Sequence, residues 1–266
     1  MKRVVVIVVA LALLLAACAP PAPPPPPPVP QGFDTCAAPS TSTMRTWAIT
    51  SPYTSVGIYI GGANRGCSQP NLTPSWINTV TGYGWRLLPI WVGAQAPCTP
   101  LTHTTTISYD HNSATNQGIL EGMAASDRAA ALGLPWLAPI YFDMEAYPSG
   151  GACTQAVLAF TIGWTYALHQ RGYLAGYYSS LCSGITDVAN AIPVMPRQYL
   201  IDAVWIAAWS DVPNIFGFNQ PGCALWDVWW SNHGRVHQFR GGHDEVWGGV
   251  GITMDTNAVD GPTYPW

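Results

Sequence analysis

The sequence predicts an α/β domain closed as a (β/α)8 barrel of the TIM type, with a reduced last quarter. Two observations carry this. Eight short apolar, β-branched runs recur between residues 31 and 266, and helical stretches or long loops separate them, the alternation that builds a parallel sheet covered on both faces. The 266 residues also leave room for one such barrel behind a short N-terminal segment. An open doubly wound sheet is the alternative, but no G-x-G-x-x-G or P-loop accompanies it.

In order, strands are expected near Gly32–Asp34, Ser55–Ile60, Arg86–Trp91, Ala138–Glu145, Tyr173–Ser179, Val204–Trp209, Val236–Phe239 and Gly251–Asp255. Helices are expected over Pro39–Ile49, Pro74–Tyr83, Ser113–Leu132 and Cys153–Arg171. The Ala-rich cores of the last two end at Gly133 and Gly172, glycines placed where a helix terminates in a left-handed residue. Pro193 and Pro196 break the next helical stretch, between Thr186 and Leu200, and the pattern after Trp209 is loop-rich. Strands seven and eight lie too close together for a full crossover helix.

The N-terminus reads as an address. Lys2 and Arg3 precede an unbroken apolar run from Val4 to Ala17, a secretory signal too short for a comfortable membrane span. Leu15-Ala16-Ala17-Cys18 is similar to the bacterial lipobox, in which the cysteine becomes the lipidated N-terminus, while Ala17 alone also fits ordinary cleavage. Residues 1–17 are thus expected to be a lipoprotein signal peptide. Residues 18–30 would form the lipidated cysteine and a linker, in which six successive prolines, Pro23–Pro28, favour stiff polyproline II rising about 3.1 Å per residue. Residues 31–266 would form the barrel, held off the outer face of a bacterial membrane by the lipid at Cys18.

Seven cysteines fit that compartment once Cys18 is given to the lipid. The remaining six, Cys36, Cys67, Cys98, Cys153, Cys182 and Cys223, allow fifteen pairings, and none sits in a C-x-x-C pair that would suggest a zinc ribbon or a redox motif. On the barrel reading each follows the C-terminal end of a strand or the loop beyond it. Neighbouring loops can approach the separation a disulfide needs, which favours 36–67, 98–153 and 182–223.

Composition narrows the partners. Charged residues make up 9% of the chain and hydrophobic ones 48%. Beyond Cys18 eight arginines face 14 acids, a balance of −6 that leaves no basic stripe for nucleic acid. With 13 Trp and 12 Tyr, some aromatics are expected to meet a neutral or polar ligand. No cofactor or metal is expected: His233 and His237 are four apart, but Gly234 disfavours a helix and no third ligand is apparent. Asp110 and His111 read as a solvated loop.

The chemistry candidates are acids at strand ends. Ile140-Tyr141-Phe142-Asp143-Met144-Glu145 is an apolar run ending in two carboxylates at i and i+2, which on a strand share one face, here the barrel's mouth. Two carboxylates so placed repel, and one should keep its proton to unusually high pH, as a general acid for glycosidic cleavage must. Asp34 and Asp255 end strands one and eight, neighbours in a closed barrel, so four acids should converge. Taken singly, such acids also cap turns or pair with arginine.

These motifs are recognisable together. Gly32-Phe33-Asp34-Thr35-Cys36-Ala37-Ala38-Pro39, Val56-Gly57-Ile58-Tyr59-Ile60-Gly61-Gly62, Tyr141-Phe142-Asp143-Met144-Glu145 and Met254-Asp255-Thr256-Asn257 resemble the secreted glycoside-hydrolase-like barrels known as domain of unknown function 1906, related to the glycoside hydrolase family 25 muramidases. The resemblance spans roughly residues 31–260. It implies a site of Asp34, Asp143, Glu145 and Asp255, with Glu145 as general acid, Asp143 positioning an N-acetyl group or a water, and Asp34 and Asp255 tuning the charge. Tyr59, Trp91, Gln95, Tyr177, Trp209 and Gln238 end or follow strands and are candidates to line a sugar groove, though each could equally pack in the core. The expected protein is a monomeric, lipid-anchored envelope protein that binds peptidoglycan or a related wall glycan and hydrolyses it. The alternative is a non-catalytic glycan-binding or structural module on the same barrel.

Overall fold

The computed structural model describes residues 28–266; the signal segment and Cys18 lie outside the described residues. Eight strands close a barrel: β1 (Gln31–Asp34), β2 (Ser55–Gly61), β3 (Arg86–Trp91), β4 (Pro139–Asp143), β5 (Leu174–Ser180), β6 (Ala203–Ala207), β9 (Arg235–Trp247) and β10 (Val250–Asp260), in that order around the ring. A two-residue ribbon, β7 (Asn219–Gln220) with β8 (Cys223–Ala224), sits in the long loop after β6. Helices α1 (Thr41–Thr50), α2 (Pro74–Gly82), α3 (His111–Ala131), α4 (Gly151–Gln170) and the short α5 (Thr186–Ala191) cover the outside.

The local chemistry explains these helices. Ser40, Thr73 and Asp110 cap α1, α2 and α3, each side chain accepting from a backbone N–H three residues on. Asp110, expected in a solvated loop, is therefore a helix cap. Gly133 and Gly172 end the chain's two longest described helices at positive φ, 81° and 76°. Helices α3 and α4 touch backbone to backbone, because a Cβ on Gly118 would strike the Phe160 carbonyl and one on Gly163 the Thr115 carbonyl.

The reduced last quarter takes a specific form. From β1 through β6 to β9 every pairing is parallel, but β10 runs antiparallel to both β9 and β1. Only Gly248-Gly249, both at positive φ, separates β9 from β10, the turn chemistry of a tight hairpin. A hairpin needs no crossover helix, which removes the spacing difficulty. It also corrects the place of Asp255, which lies within β10 and not at a strand end.

Alternation sorts the strand residues into two layers. Inside the barrel, Leu88, Ile90, Tyr141, Ala203, Trp205, Val236 and Val259 fill the lumen. Outside, Phe33, Val56, Leu87, Trp91, Phe142, Tyr177 and Ile206 pack against the helices. Cysteines pair as 36–67, 98–153 and 182–223, with Cα separations of 5.7, 5.9 and 5.0 Å, joining neighbouring loops of one face as the strand order implies.

Candidate active site

The lumen turns polar at the end where β1 to β6 finish. Asp34 ends β1 and is buried, in register with Asp255 on β10. A Cβ on Gly57 of β2 would lie 2.5 Å from the Asp34 Cβ, so glycine there makes room for the carboxylate. Asp34 Oδ1 accepts from Asn257 Nδ2 at 2.7 Å and from Gln238 Nε2 at 3.3 Å, and Oδ2 accepts from the Tyr59 hydroxyl at 3.1 Å. Burial, followed by the Asp255 charge, raises its carboxyl to about 7 against these lowering hydrogen bonds.

Asp255 is turned into the mouth where the register of β9 and β10 slips between Met254 and Asn257. Lost hydration lifts its carboxyl above the ordinary range, with nearby His243 opposing that shift and Glu145 reinforcing it.

Asp143 closes β4 in register with Tyr178 of β5, buried, with its Oδ1 lacking any hydrogen-bond partner. The strand stops there, two residues earlier than expected, and Glu145 stands just beyond it, solvent-exposed on the loop. Burial holds the Asp143 carboxyl well above its usual value, and the Glu145 and Asp34 charges push it further. Glu145 is also raised, chiefly by desolvation, while its hydrogen bond with Asp143 pulls it back. Both carboxyls are thus raised, so the pair titrates together and holds a proton to higher pH than an isolated carboxylate does.

The other candidates divide. Tyr59 lines the site through Asp34, and Trp209, 71% exposed, stands at the rim with its Nε1 donating to Gln238 Oε1 at 3.1 Å. Gln238 itself is fully committed: Oε1 also accepts from Tyr178, and Nε2 donates to Asp34 and Asp255. It wires the acids together and has nothing left for a sugar. Gln95 is likewise spoken for, accepting from Glu145 N at 2.8 Å and donating to the Asp143 carbonyl at 2.8 Å, so it fixes the turn that presents Glu145.

Trp91 and Tyr177 are corrections. Both face the helix layer, Trp91 bonded through Nε1 to Glu121 of α3 and Tyr177 buried with its hydroxyl against Gly184, because their neighbours Ile90 and Tyr178 take the inward positions. Tyr178 is the residue missed. Its in-register place beside Asp143 was readable from the alternation once the strand's phase was set.

Two cavities of about 370 and 380 Å³ open side by side on this face and share Glu145 as a wall. The first holds the four acids, Tyr59 and Arg65; the second is lined by Tyr178, Ala207, Trp209 and Gln220 among others. The disulfides 36–67 and 182–223 brace one side of each. Among the described residues no cluster of three or more His, Cys, Asp or Glu suits a metal ion. The arrangement provides a carboxyl at the cavity mouth, Glu145, with three further acids lining the same cavity.

Several solved structures share this architecture. An uncharacterized protein of B. stearothermophilus superposes with a TM-score of 0.59 at 18% identity, over 86% of this chain and 95% of its own. The Tat-secreted protein Rv2525c of Mycobacterium tuberculosis, in complex with L-tartrate, gives 0.59 at 15% identity over 88% and 98%. The Clostridium perfringens spore cortex lytic enzyme SleM gives 0.51 at 13% identity over 89% and 69%. At these identities the likeness is one of fold. A search of curated proteins finds no match. The model of one family matches residues 45–259, and the chain belongs to that family, the Rv2525c-like, glycoside hydrolase-like domain.

Proposed function

We propose that this protein hydrolyses a glycan of the bacterial cell envelope, peptidoglycan or a related wall polysaccharide, with Glu145 as the general acid. The observation that carries the reading is the convergence of Asp34, Asp143, Glu145 and Asp255 on one cleft whose two cavities meet at Glu145. A sugar chain laid across both would place a glycosidic oxygen over that carboxyl. Glu145 hands its proton to the leaving oxygen, and buried Asp143 resupplies it. Asp34 and Asp255 offer negative charge as the sugar carbon becomes oxocarbenium-like. Asp143 orients the N-acetyl group or water that captures that carbon, and its unpartnered Oδ1 is the atom suited to this. Tyr59 and Trp209 contribute ring surface to the sugar.

A spore cortex lytic enzyme with this fold is in keeping with the substrate class, and a Tat-secreted protein with export. Three disulfides fit an oxidising compartment. We place the mature chain on the outer membrane face, acylated at Cys18, with residues 1–17 removed; detergent partitioning lost in Cys18→Ser would bear this out. The decisive experiment is glycan release from purified cell wall. Wild type should release soluble saccharides, and Glu145→Gln should lose turnover while still binding the wall. Binding by wild type with no release leaves a non-catalytic module in its place.

A further inference from the structure

The acidic cavity contains one cation. Arg65 lines it beside Asp34, Asp143, Glu145 and Asp255, yet among the described residues its guanidinium forms no ion pair with any carboxylate. Its one side-chain hydrogen bond is a long one, 3.5 Å from Nη1 to the Ile60 carbonyl. A guanidinium carries five N–H donors in a planar fork, so most of them remain for another partner.

The turn that carries Arg65 is built without its side chain. Asn64 Nδ2 donates to the carbonyls of Gly93 and Thr105 at 2.8 and 2.9 Å, and Asn64 Oδ1 accepts from Thr105 N at 3.0 Å. The Arg65 amide closes onto the Gly62 carbonyl, and Cys67 two residues on is tied to Cys36. The backbone is therefore fixed before any ligand arrives, which is the arrangement a recognition group needs. The second cavity, lined by Tyr178, Trp209 and Gln220, has no cation in its wall.

We infer that Arg65 is a specificity-determining residue that grips a carboxylate substituent on the sugar occupying the acidic cavity. The inference rests on the glycan-cleft reading above. A carboxylated sugar entering among four ionised acids would be repelled, but raised, proton-sharing carboxyls reduce that repulsion. A planar guanidinium in the same cavity wall supplies the bidentate partner a carboxylate prefers. Without such a group the cavity would select neutral sugars only.

The test is calorimetric titration of the disulfide-bonded protein, in a Glu145→Gln background so that no ligand is consumed. Three probes are used: a neutral N-acetylglucosamine tetramer, a saccharide bearing a lactyl-ether carboxylate, and a glucuronate-containing tetrasaccharide. At least one carboxylated probe should bind about tenfold or more tighter than the neutral one, the size expected of a charge-assisted pair. Which one does so identifies the source of the carboxylate. Arg65→Gln should bring the ratio to about one while neutral binding stays within about twofold, and Arg65→Lys should keep part of the preference. A charge-balancing role would weaken or strengthen all three probes together and leave the ratio unchanged, which overturns the inference. So does neutral binding with no carboxylate preference, although that result spares the glycan reading. Binding of no probe removes both.

Discussion

Asp34 and Asp255 face each other in register across β1 and β10, and a single amide nitrogen, Nε2 of Gln238, donates to both at 3.3 Å. The same amide's oxygen accepts from Tyr178 and Trp209, so one side chain joins two acids, a lumen tyrosine and the aromatic rim. Four strands and the loop after β6 are thereby held to one polar centre, and two carboxyls coexist in a space where unassisted burial would expel one.

Replacing that amide should be costly. Gln238→Leu fills a similar volume but removes two donors to the acids and strands the Tyr178 hydroxyl and the Trp209 N–H. Losing partners for buried polar groups costs about 1–3 kcal/mol each, so the variant should be about 3 kcal/mol less stable in chemical denaturation. Trp209 should also become more mobile, read as reduced fluorescence anisotropy at its emission. Unchanged stability would mean that the hydrogen-bonded centre carries no net weight.

Asp34→Asn should stabilise the protein above neutral pH. The folded-state carboxyl is raised to about 7 from 3.8, so between those values the folded state binds a proton that the unfolded state does not. Its contribution is fully present below pH 3.8 and is lost as pH rises through 7. An asparagine is neutral throughout and fits the contacts, its oxygen toward Asn257 and Gln238 and its nitrogen toward the Tyr59 oxygen. A gain of roughly 1–2 kcal/mol at pH 8, shrinking to nothing near pH 4, is expected in thermal melts, together with loss of turnover.

Much of this centre was legible in the sequence because it depends on alternation and strand adjacency. Asp143 on an apolar run, Asp34 at the end of the first, and cysteines behind successive strands each give their position without knowledge of packing. Two things escaped. The phase of β3 and β5 was ambiguous by one residue, since Ile90-Trp91 and Tyr177-Tyr178 offer an apolar or aromatic side chain to either face; only the layer each must fill decides it. The antiparallel turn of β10 was announced by Gly248-Gly249, but a parallel pattern over the preceding strands argued for continuing it. The roles of Gln95 and Gln238 depend on partners 48 or more and up to 204 residues away, respectively, which no local pattern encodes.

The loop that presents Glu145 has a second anchor. Asp187 Oδ2 accepts from the hydroxyls of Tyr147 at 2.7 Å, Ser149 at 3.1 Å and Thr154 at 2.7 Å, pinning residues 147–149 to α4 and α5. Asp187→Ala should leave three hydroxyls short of an acceptor and cost about 2–4 kcal/mol. Hydrogen exchange should accelerate over residues 144–150 more than elsewhere, and kcat should fall with little change in wall binding. Uniform exchange across the barrel would instead mean that the network stabilises the fold globally.

His237 gives the pH profile its opposing limb. The ring is buried between two carbonyls, Nδ1 2.5 Å from Asn214 O and Nε2 2.7 Å from Ala208 O. A neutral imidazole has one N–H and can serve only one of them, whereas the cation would serve both at the cost of a buried charge. Burial is the larger effect and holds the ring below its ordinary value, against the two carbonyls. A histidine whose folded value is depressed contributes stability above the unfolded value of 6.5, and that stability is lost as pH falls through the folded value. The four raised carboxyls act the other way, since the folded state binds their protons more tightly and gains stability as pH falls. Wild-type stability should therefore flatten or turn over on acidification below about pH 6.5. In His237→Gln, where an amide N–H can still reach one carbonyl and nothing titrates, stability should keep rising as pH falls from 7.5 toward 5, after a fixed loss of about 1–3 kcal/mol. Parallel wild-type and variant curves over that range would show that His237 takes up its proton as readily folded as unfolded, and the turnover would have to come from elsewhere.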